Sequence, residues 1–139
     1  MTAPLVDGTR MANALAGRLS LRPPQRRALE LLDRLTTIVP PAKDTDVAAA
    51  LAAVRTEFPS VTDFERDFMS VCFALATGVG KTRLMGACIG WLHLVHGLRN
   101  FFVLAPNLTI YEKLITDFTP GTAKYVFRGI PEFAVRAPE

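Results

Sequence analysis

Residues 77 to 82 of this chain have the types and the spacing that a polyphosphate ligand requires: Thr77, Gly78, Val79, Gly80, Lys81 and Thr82. A phosphate chain carries several negative charges and needs many hydrogen-bond donors at short range. Glycines at 78 and 80 leave the backbone N–H groups open to such a ligand, because no side chain blocks its approach. Lys81 would place a positive charge at the outer phosphates, where charge also develops during phosphate transfer. The Thr82 hydroxyl would supply an oxygen ligand to Mg²⁺, so the segment predicts a site for ATP with Mg²⁺.

The flanking segments predict a strand before this loop and a helix after it. Residues 69–76 form a largely apolar run, and an apolar helical pattern follows from residue 81 to residue 96, with Gly97 as its C-cap. The helix would aim its free N–H groups and its positive dipole end at the same ligand. Strand, glycine-rich turn and helix together are typical of the phosphate-binding loop of nucleotide triphosphatases, although the strict pattern has glycine where this chain has Leu75. The alternative is an ordinary glycine-rich turn between a strand and a helix.

The remainder of the chain predicts three helices first and then strands that alternate with helices. Helices are expected at residues 11–19, 24–38, 47–58 and 108–118, and strands at 69–76, 101–105 and 125–127. Continuous apolar runs are typical of buried parallel strands, so this order predicts an α/β fold with a parallel sheet between layers of helices. The expected domains are a helical region over residues 1–68 and the first half of a nucleotide-binding domain over residues 69–139. Three strands are few for such a sheet, so the domain is expected to continue beyond the chain end.

The composition is that of a small globular protein. The chain has 139 residues, of which 50% are apolar and 21% are charged, and its formal net charge is +3. This mild excess of basic residues permits contact with nucleic acid and equally fits an ordinary solvated surface. Cys72 and Cys88 lack the spacing of metal ligands and suit a reduced, cytoplasmic location. No signal-peptide pattern is present, and no apolar run approaches the roughly 18 residues of a membrane span, so no membrane association is expected.

Three sequence blocks, in this order along the chain, carry a family resemblance. They are Leu-Arg-Pro-Pro-Gln-Arg at residues 21–26, Phe-Ala-Leu-Ala-Thr-Gly-Val-Gly-Lys-Thr at 73–82 and Phe-Val-Leu-Ala-Pro-Asn at 102–107. The chain resembles the N-terminal motor region of superfamily 2 helicases of the DEAD/DEAH-box type. It is most similar to the helicase (Res) subunit of type III restriction enzymes. The resemblance implies a RecA-like, P-loop NTPase fold, which is a parallel three-layer sandwich, behind an N-terminal helical region.

The resemblance also implies roles for residues outside the loop. Gln25 would hydrogen-bond the adenine edge of ATP, for which an amide offers both a donor and an acceptor. Pro106, Asn107 and Thr109 would contact the backbone of one DNA strand at the start of a helix. The structural alternatives stay open at this point: Gln25 as an exposed residue in a first helical turn, and Asn107 as a helix cap.

The resembled family implies a parent protein that is an ATP-driven DNA helicase or translocase, working with a modification (methyltransferase) subunit in a restriction complex. In that family an Asp-Glu-x-His/Asp block holds Mg²⁺ and orients the attacking water, yet the sequence contains no Asp-Glu dipeptide. The catalytic set is therefore expected to be incomplete, and the chain is expected to be a fragment that binds ATP weakly without hydrolysing it. The alternatives are a small nucleotide kinase and a stand-alone nucleotide-binding or interaction module with a vestigial loop.

Overall fold

The computed structural model describes residues 6–134, and every regular element in this range is helical. The elements are α1 (Gly8–Arg18), α2 (Pro23–Ile38), α3 (Val47–Glu57), α4 (Lys81–His96), α5 (Leu108–Asp117) and a short 3₁₀ helix (Pro131–Ala134). The five α-helices lie close to their predicted positions. The outermost residues of the two predicted domains, 1–5 and 135–139, lie outside the described range, and a domain division at residue 68 stays a prediction.

Local capping explains where the helices begin and end. The Asp7 side chain accepts a hydrogen bond from the N–H of Arg10 at 2.9 Å, and the Asp46 side chain accepts one from Ala49 at 3.1 Å. These contacts satisfy N–H groups that the first helical turn leaves without an intrahelical acceptor. Gly97 ends α4 in the left-handed conformation, with φ of 68°. These are short-range signals, and for that reason sequence patterns located the helices well.

The predicted α/β fold is wrong for this structure. Between residues 6 and 134 there is no strand, so the parallel three-layer RecA-like sandwich is not present there. Segments 69–76 and 101–105 are irregular, and residues 126–127 lie in turns. The physical reason is that an apolar run becomes a strand only when the backbone of another segment pairs with it. Here α4 packs against the helices α1 and α2, not against a sheet. The run at 101–105 is also largely solvated: Phe102 is 89% exposed and Leu104 is 75% exposed.

The main core lies where α1, α2 and α4 pack against one another. Leu15, Leu29 and Trp91, one from each of these helices, are fully buried. The Trp91 indole N–H donates to the carbonyl of Gly8 at 3.0 Å, so its polar atom is satisfied within the core. A smaller cluster joins α2 to α3 and to the loop that follows α3: Val39, Ala50, Val54 and Phe64. Helix-on-helix packing is therefore the architecture that positions the loop at residues 77–80.

The segment after α5 covers the remaining face of α4. Gly86 permits this approach, because a Cβ atom at that position would lie 2.7 Å from the Cβ of Val126. Phe127 then packs edge-to-face on Phe133, with ring centroids 4.9 Å apart. The backbone N–H of Val126 donates to the carbonyl of Asp117 at 2.8 Å and fixes the turn to the end of α5. This packing brings the turn at residues 123–128 alongside the start of α4.

Candidate functional site

The glycine-rich loop leads directly into the start of α4. Gly78 and Gly80 both have left-handed backbone conformations, with φ of 76° and 83°. The first bond of the helix runs from the N–H of Leu84 to the carbonyl of Gly80 at 3.1 Å, and no side chain caps this end. The backbone N–H groups of residues 81–83 therefore have no intrahelical acceptor, and the positive end of the helix dipole lies beside the loop. This is the geometry that an anionic ligand requires.

Two side chains from the start of α2 hold the loop in place. Gln25 is only 2% exposed, and its side-chain N–H donates to the carbonyl of Gly80 at 2.8 Å. Its side-chain oxygen accepts from the N–H of Arg22 at 2.8 Å, and the Arg22 guanidinium donates to the carbonyl of Gly78 at 3.2 Å. The structural alternative for Gln25, an exposed residue in a first turn, is therefore wrong. An adenine contact stays a prediction, and it would have to use the second N–H of the amide or its remaining lone pair.

Lys81 and Thr82, the last two residues of the motif, have different surroundings. The Lys81 side chain is exposed at the start of α4, whereas Thr82 is half-buried. The Thr82 hydroxyl accepts a hydrogen bond from the Lys113 ammonium of α5 at 3.4 Å. The same ammonium pairs with the carboxylate of Asp117, which is 4% exposed. Helix α5 thus reaches the Gly-Lys-Thr motif through Lys113.

A cleft of about 280 Å³ opens beside this contact, between the first turn of α4, the end of α5 and the turn at residues 123–128. The residues with charged or hydroxyl side chains that line it are Thr82, Arg83, Lys113, Asp117, Lys124, Tyr125 and Arg128. Four of these are basic and only Asp117 is acidic, so the cleft carries an excess of positive charge. A site of that charge attracts anions rather than free metal cations.

Residues 18–134 match the family described as "Type III restriction enzyme, res subunit". The chain belongs to this family. The match spans all three sequence blocks and confirms the resemblance from which the helicase and restriction roles were predicted; the family is one of helicase-like, ATP-dependent restriction subunits. Searches among the curated proteins and among the solved structures found no match.

In this chain of the res-subunit family, the third sequence block lies at the beginning of α5. The Asn107 side chain accepts from the N–H of Ile110 at 3.0 Å and is therefore a helix cap. Pro106 and Thr109 are exposed beside it. A cap leaves the other N–H groups of the first turn without intrahelical acceptors, so a phosphate contact is compatible with this arrangement. Contact of Pro106, Asn107 and Thr109 with DNA stays a prediction.

The residues around Thr82 fit Mg²⁺ only as part of a complex with phosphates. Thr82 offers a single oxygen, and no group of three or more histidine, cysteine or acidic residues with metal-binding geometry occurs within residues 6–134. Mg²⁺ accepts such sparse protein ligation when phosphate oxygens and water complete its shell. The Lys113 ammonium shares the same hydroxyl oxygen, so a metal ion at Thr82 would have to displace it.

Sequence reasoning missed several residues that the fold brings to this site. Arg22 belongs to the first sequence block, so membership of that block was a sequence signal for a residue that contacts the loop. Lys113 and Asp117 have the (i, i+4) spacing of a helical ion pair, which is readable from sequence, but their approach to Thr82 is not. Lys124 lies in a turn with no motif. Across the described range, residues 6–134, no helix has the length and apolar character to cross a membrane.

Proposed function

We propose that this chain is the ATP-binding part of a DNA helicase or translocase that serves restriction, in partnership with a modification (methyltransferase) subunit. The observation that carries the proposal is the pair of left-handed glycines, Gly78 and Gly80, in front of the uncapped start of α4. Membership of the res-subunit family supports the helicase and restriction theme over the small nucleotide kinase. A cytoplasmic location follows from that role.

The roles at the loop follow from its geometry. The N–H groups at Thr77 to Gly80 and at the start of α4 would bind the inner phosphates, and Val79 would contribute only its backbone. The exposed Lys81 ammonium would neutralise charge on the outer phosphates. Thr82 would offer its oxygen to Mg²⁺, which supplies electrophilic assistance when it is bound. Arg22 and Gln25 would keep the loop open by fixing two of its carbonyl groups.

The isolated 139-residue chain is expected to bind ATP without hydrolysing it. Hydrolysis needs a carboxylate that holds the metal and a group that orients water, and the sequence has no Asp-Glu pair. Asp117, a buried carboxylate that lines the same cleft as Thr82, is paired with Lys113. ATPase activity of this chain that disappears in Lys81→Ala would contradict this part of the proposal.

A binding titration tests the proposal. Isothermal titration calorimetry with ATP and Mg²⁺ is compared for the natural chain, Lys81→Ala and Lys43→Ala. Both lysines are exposed, but Lys43 lies in the loop between α2 and α3 and serves as the matched control. Removal of a charge-assisted contact to phosphate is expected to weaken binding by about tenfold or more. Equal affinities of the two variants would refute the assignment of the site.

An interaction module with a vestigial loop is a second candidate, and one observation favours it. Phe102, Leu104 and Leu108 form an exposed apolar stretch before and at the start of α5. Exposed apolar patches of this kind often mark contact surfaces. Sedimentation of the purified chain together with ATP titration separates the candidates: the module predicts specific self-association or complex formation and no ATP binding.

A further inference from the structure

The basic cleft beside Thr82 is built from three separate parts of the chain. Thr82 and Arg83 come from the first turn of α4, Lys113 and Asp117 from α5, and Lys124 and Arg128 from the turn that covers α4. Thr82 belongs both to this cleft and to the phosphate-binding motif. A ligand held on the loop therefore lies next to the cleft.

Lys113 lines the cleft, and its ammonium has two partners there. It pairs with the buried carboxylate of Asp117 and donates to the Thr82 hydroxyl at 3.4 Å. An ammonium has three N–H donors, so one remains for a further acceptor, and two remain when Mg²⁺ takes the Thr82 oxygen. Because Asp117 restrains the long side chain, little additional rotamer freedom is lost when a ligand binds.

The turn at residues 123–128 supplies two more cations. Lys124 is exposed and takes part in none of the ion pairs that the structure forms between residues 6 and 134. One Arg128 N–H donates to the carbonyl of Ala123 at 3.2 Å, which orients the guanidinium. The guanidinium has five donors in all, so most of them stay available to an oxyanion.

We propose that this cleft accepts the terminal phosphate of a nucleoside triphosphate whose inner phosphates lie on the loop at residues 77–80. The proposal rests on the proposed function, because it needs a nucleotide at that loop. Lys113, Lys124 and Arg128 contact the terminal phosphate and so distinguish a triphosphate from a diphosphate. The excess of basic over acidic side chains matches the extra negative charge that a triphosphate carries.

The test compares ATP and ADP binding to the 139-residue chain by calorimetry at one fixed concentration of Mg²⁺. The variants are Lys124→Met, Arg128→Met, Lys81→Ala and, as a matched control, Arg55→Met on α3. Lys124→Met removes a side chain without an ion-pair partner in the described range, so it leaves the fold intact, and circular dichroism verifies this. We expect Lys124→Met and Arg128→Met each to weaken ATP binding by about tenfold. ADP binding should change less than about twofold, and Arg55→Met should change neither.

The cleft and the loop at residues 77–80 predict different outcomes. The cleft assignment is overturned if Lys124→Met lowers the affinities for ATP and ADP equally, or lowers neither. The proposed function is still upheld in that case if Lys81→Ala weakens the binding of both nucleotides. Unchanged binding in Lys81→Ala, or no nucleotide binding by the natural chain, overturns the proposed function and this inference with it. Inorganic phosphate is titrated into the nucleotide-free chain and into the ADP-bound chain. Phosphate that binds both equally tightly, together with ATP that binds no tighter than ADP, would assign the cleft to free phosphate and overturn the nucleotide assignment.

Discussion

Replacement of Gly80 by alanine tests the contact between α2 and the loop directly. An alanine at this position would adopt a left-handed conformation, which costs about 1–2 kcal/mol relative to glycine. Its Cβ would also collide with the side-chain nitrogen of Gln25. The Gln25 amide must move to relieve this collision, and its buried hydrogen bond to the Gly80 carbonyl would then be lost. That adds about 1–3 kcal/mol, so the free energy of unfolding should fall by about 2–5 kcal/mol.

Gly78→Ala is the matched control. Gly78 has a similar positive φ of 76°, but a Cβ there would have no atom within 4 Å. The conformational cost alone, about 1–2 kcal/mol, is expected. The difference between the two variants therefore measures the contact with Gln25 and not the backbone strain.

Urea denaturation followed by circular dichroism measures both variants, and a double-mutant cycle with Gln25→Ala isolates the interaction. With the Gln25 amide removed, Gly80→Ala should cost no more than Gly78→Ala, which gives a coupling energy of about 1–3 kcal/mol between the two sites. Equal destabilisation by the two glycine variants, or an unchanged cost of Gly80→Ala after removal of Gln25, would refute the reasoning.

Three further predictions concern thiol reactivity, the core and acid stability. Burial raises the pKa of the Cys88 thiol to about 12, whereas Cys72 is exposed. A thiol reagent at pH 8 should therefore modify one cysteine per native chain and two in denaturant; rapid modification of Cys88 in the native chain would contradict this. Trp91→Phe removes the N–H that donates to Gly8 and leaves a small cavity, so urea denaturation should show a free energy of unfolding lower by about 1–3 kcal/mol. A decrease below about 0.5 kcal/mol would show that the core repacks around the smaller side chain. A hydrogen bond from its own backbone, and then one from an arginine of α1, lower the pKa of Glu132 from its usual 4.5. A lowered folded pKa contributes stability that is present above pH 4.5 and is lost as pH falls through the folded pKa. Glutamine does not titrate, so the melting temperature of Glu132→Gln should fall less than that of the natural chain as the pH drops below 4.5. Identical melting temperatures of the two proteins across the acid range would contradict the pairing.

Signals within short stretches of the sequence located the helices. Asp46 stands immediately before α3, Gly97 immediately after α4, and the apolar positions of α2 repeat at helical spacing. Each of these acts over a few residues, so each is readable without knowledge of the fold. The same holds for the glycine-rich motif at residues 77–82, because its residue types and order alone predict a loop that leads into a helix N-terminus.

The predicted strands are absent from residues 6–134, because strand formation depends on segments that are distant in the sequence. An apolar run such as residues 101–105 shows that a segment can be buried, but a strand exists only when a distant segment pairs with its backbone. In the described structure α4 packs on α1, α2 and the turns after α5, and the apolar runs remain unpaired. Periodicity within the runs carries no information about that choice of neighbours.

The sequence by itself determined the glycine-rich motif at residues 77–82, the helix that follows it and the family to which the chain belongs. Tertiary structure alone decided that Gln25 would hold Gly80, that Lys113 would reach Thr82, and that a basic cleft would open beside them. The partners in the first contact are 55 residues apart and those in the second are 31 apart. Contacts over such separations depend on how helices pack, because the free energy that brings them together comes from the shared core and not from the residues in contact.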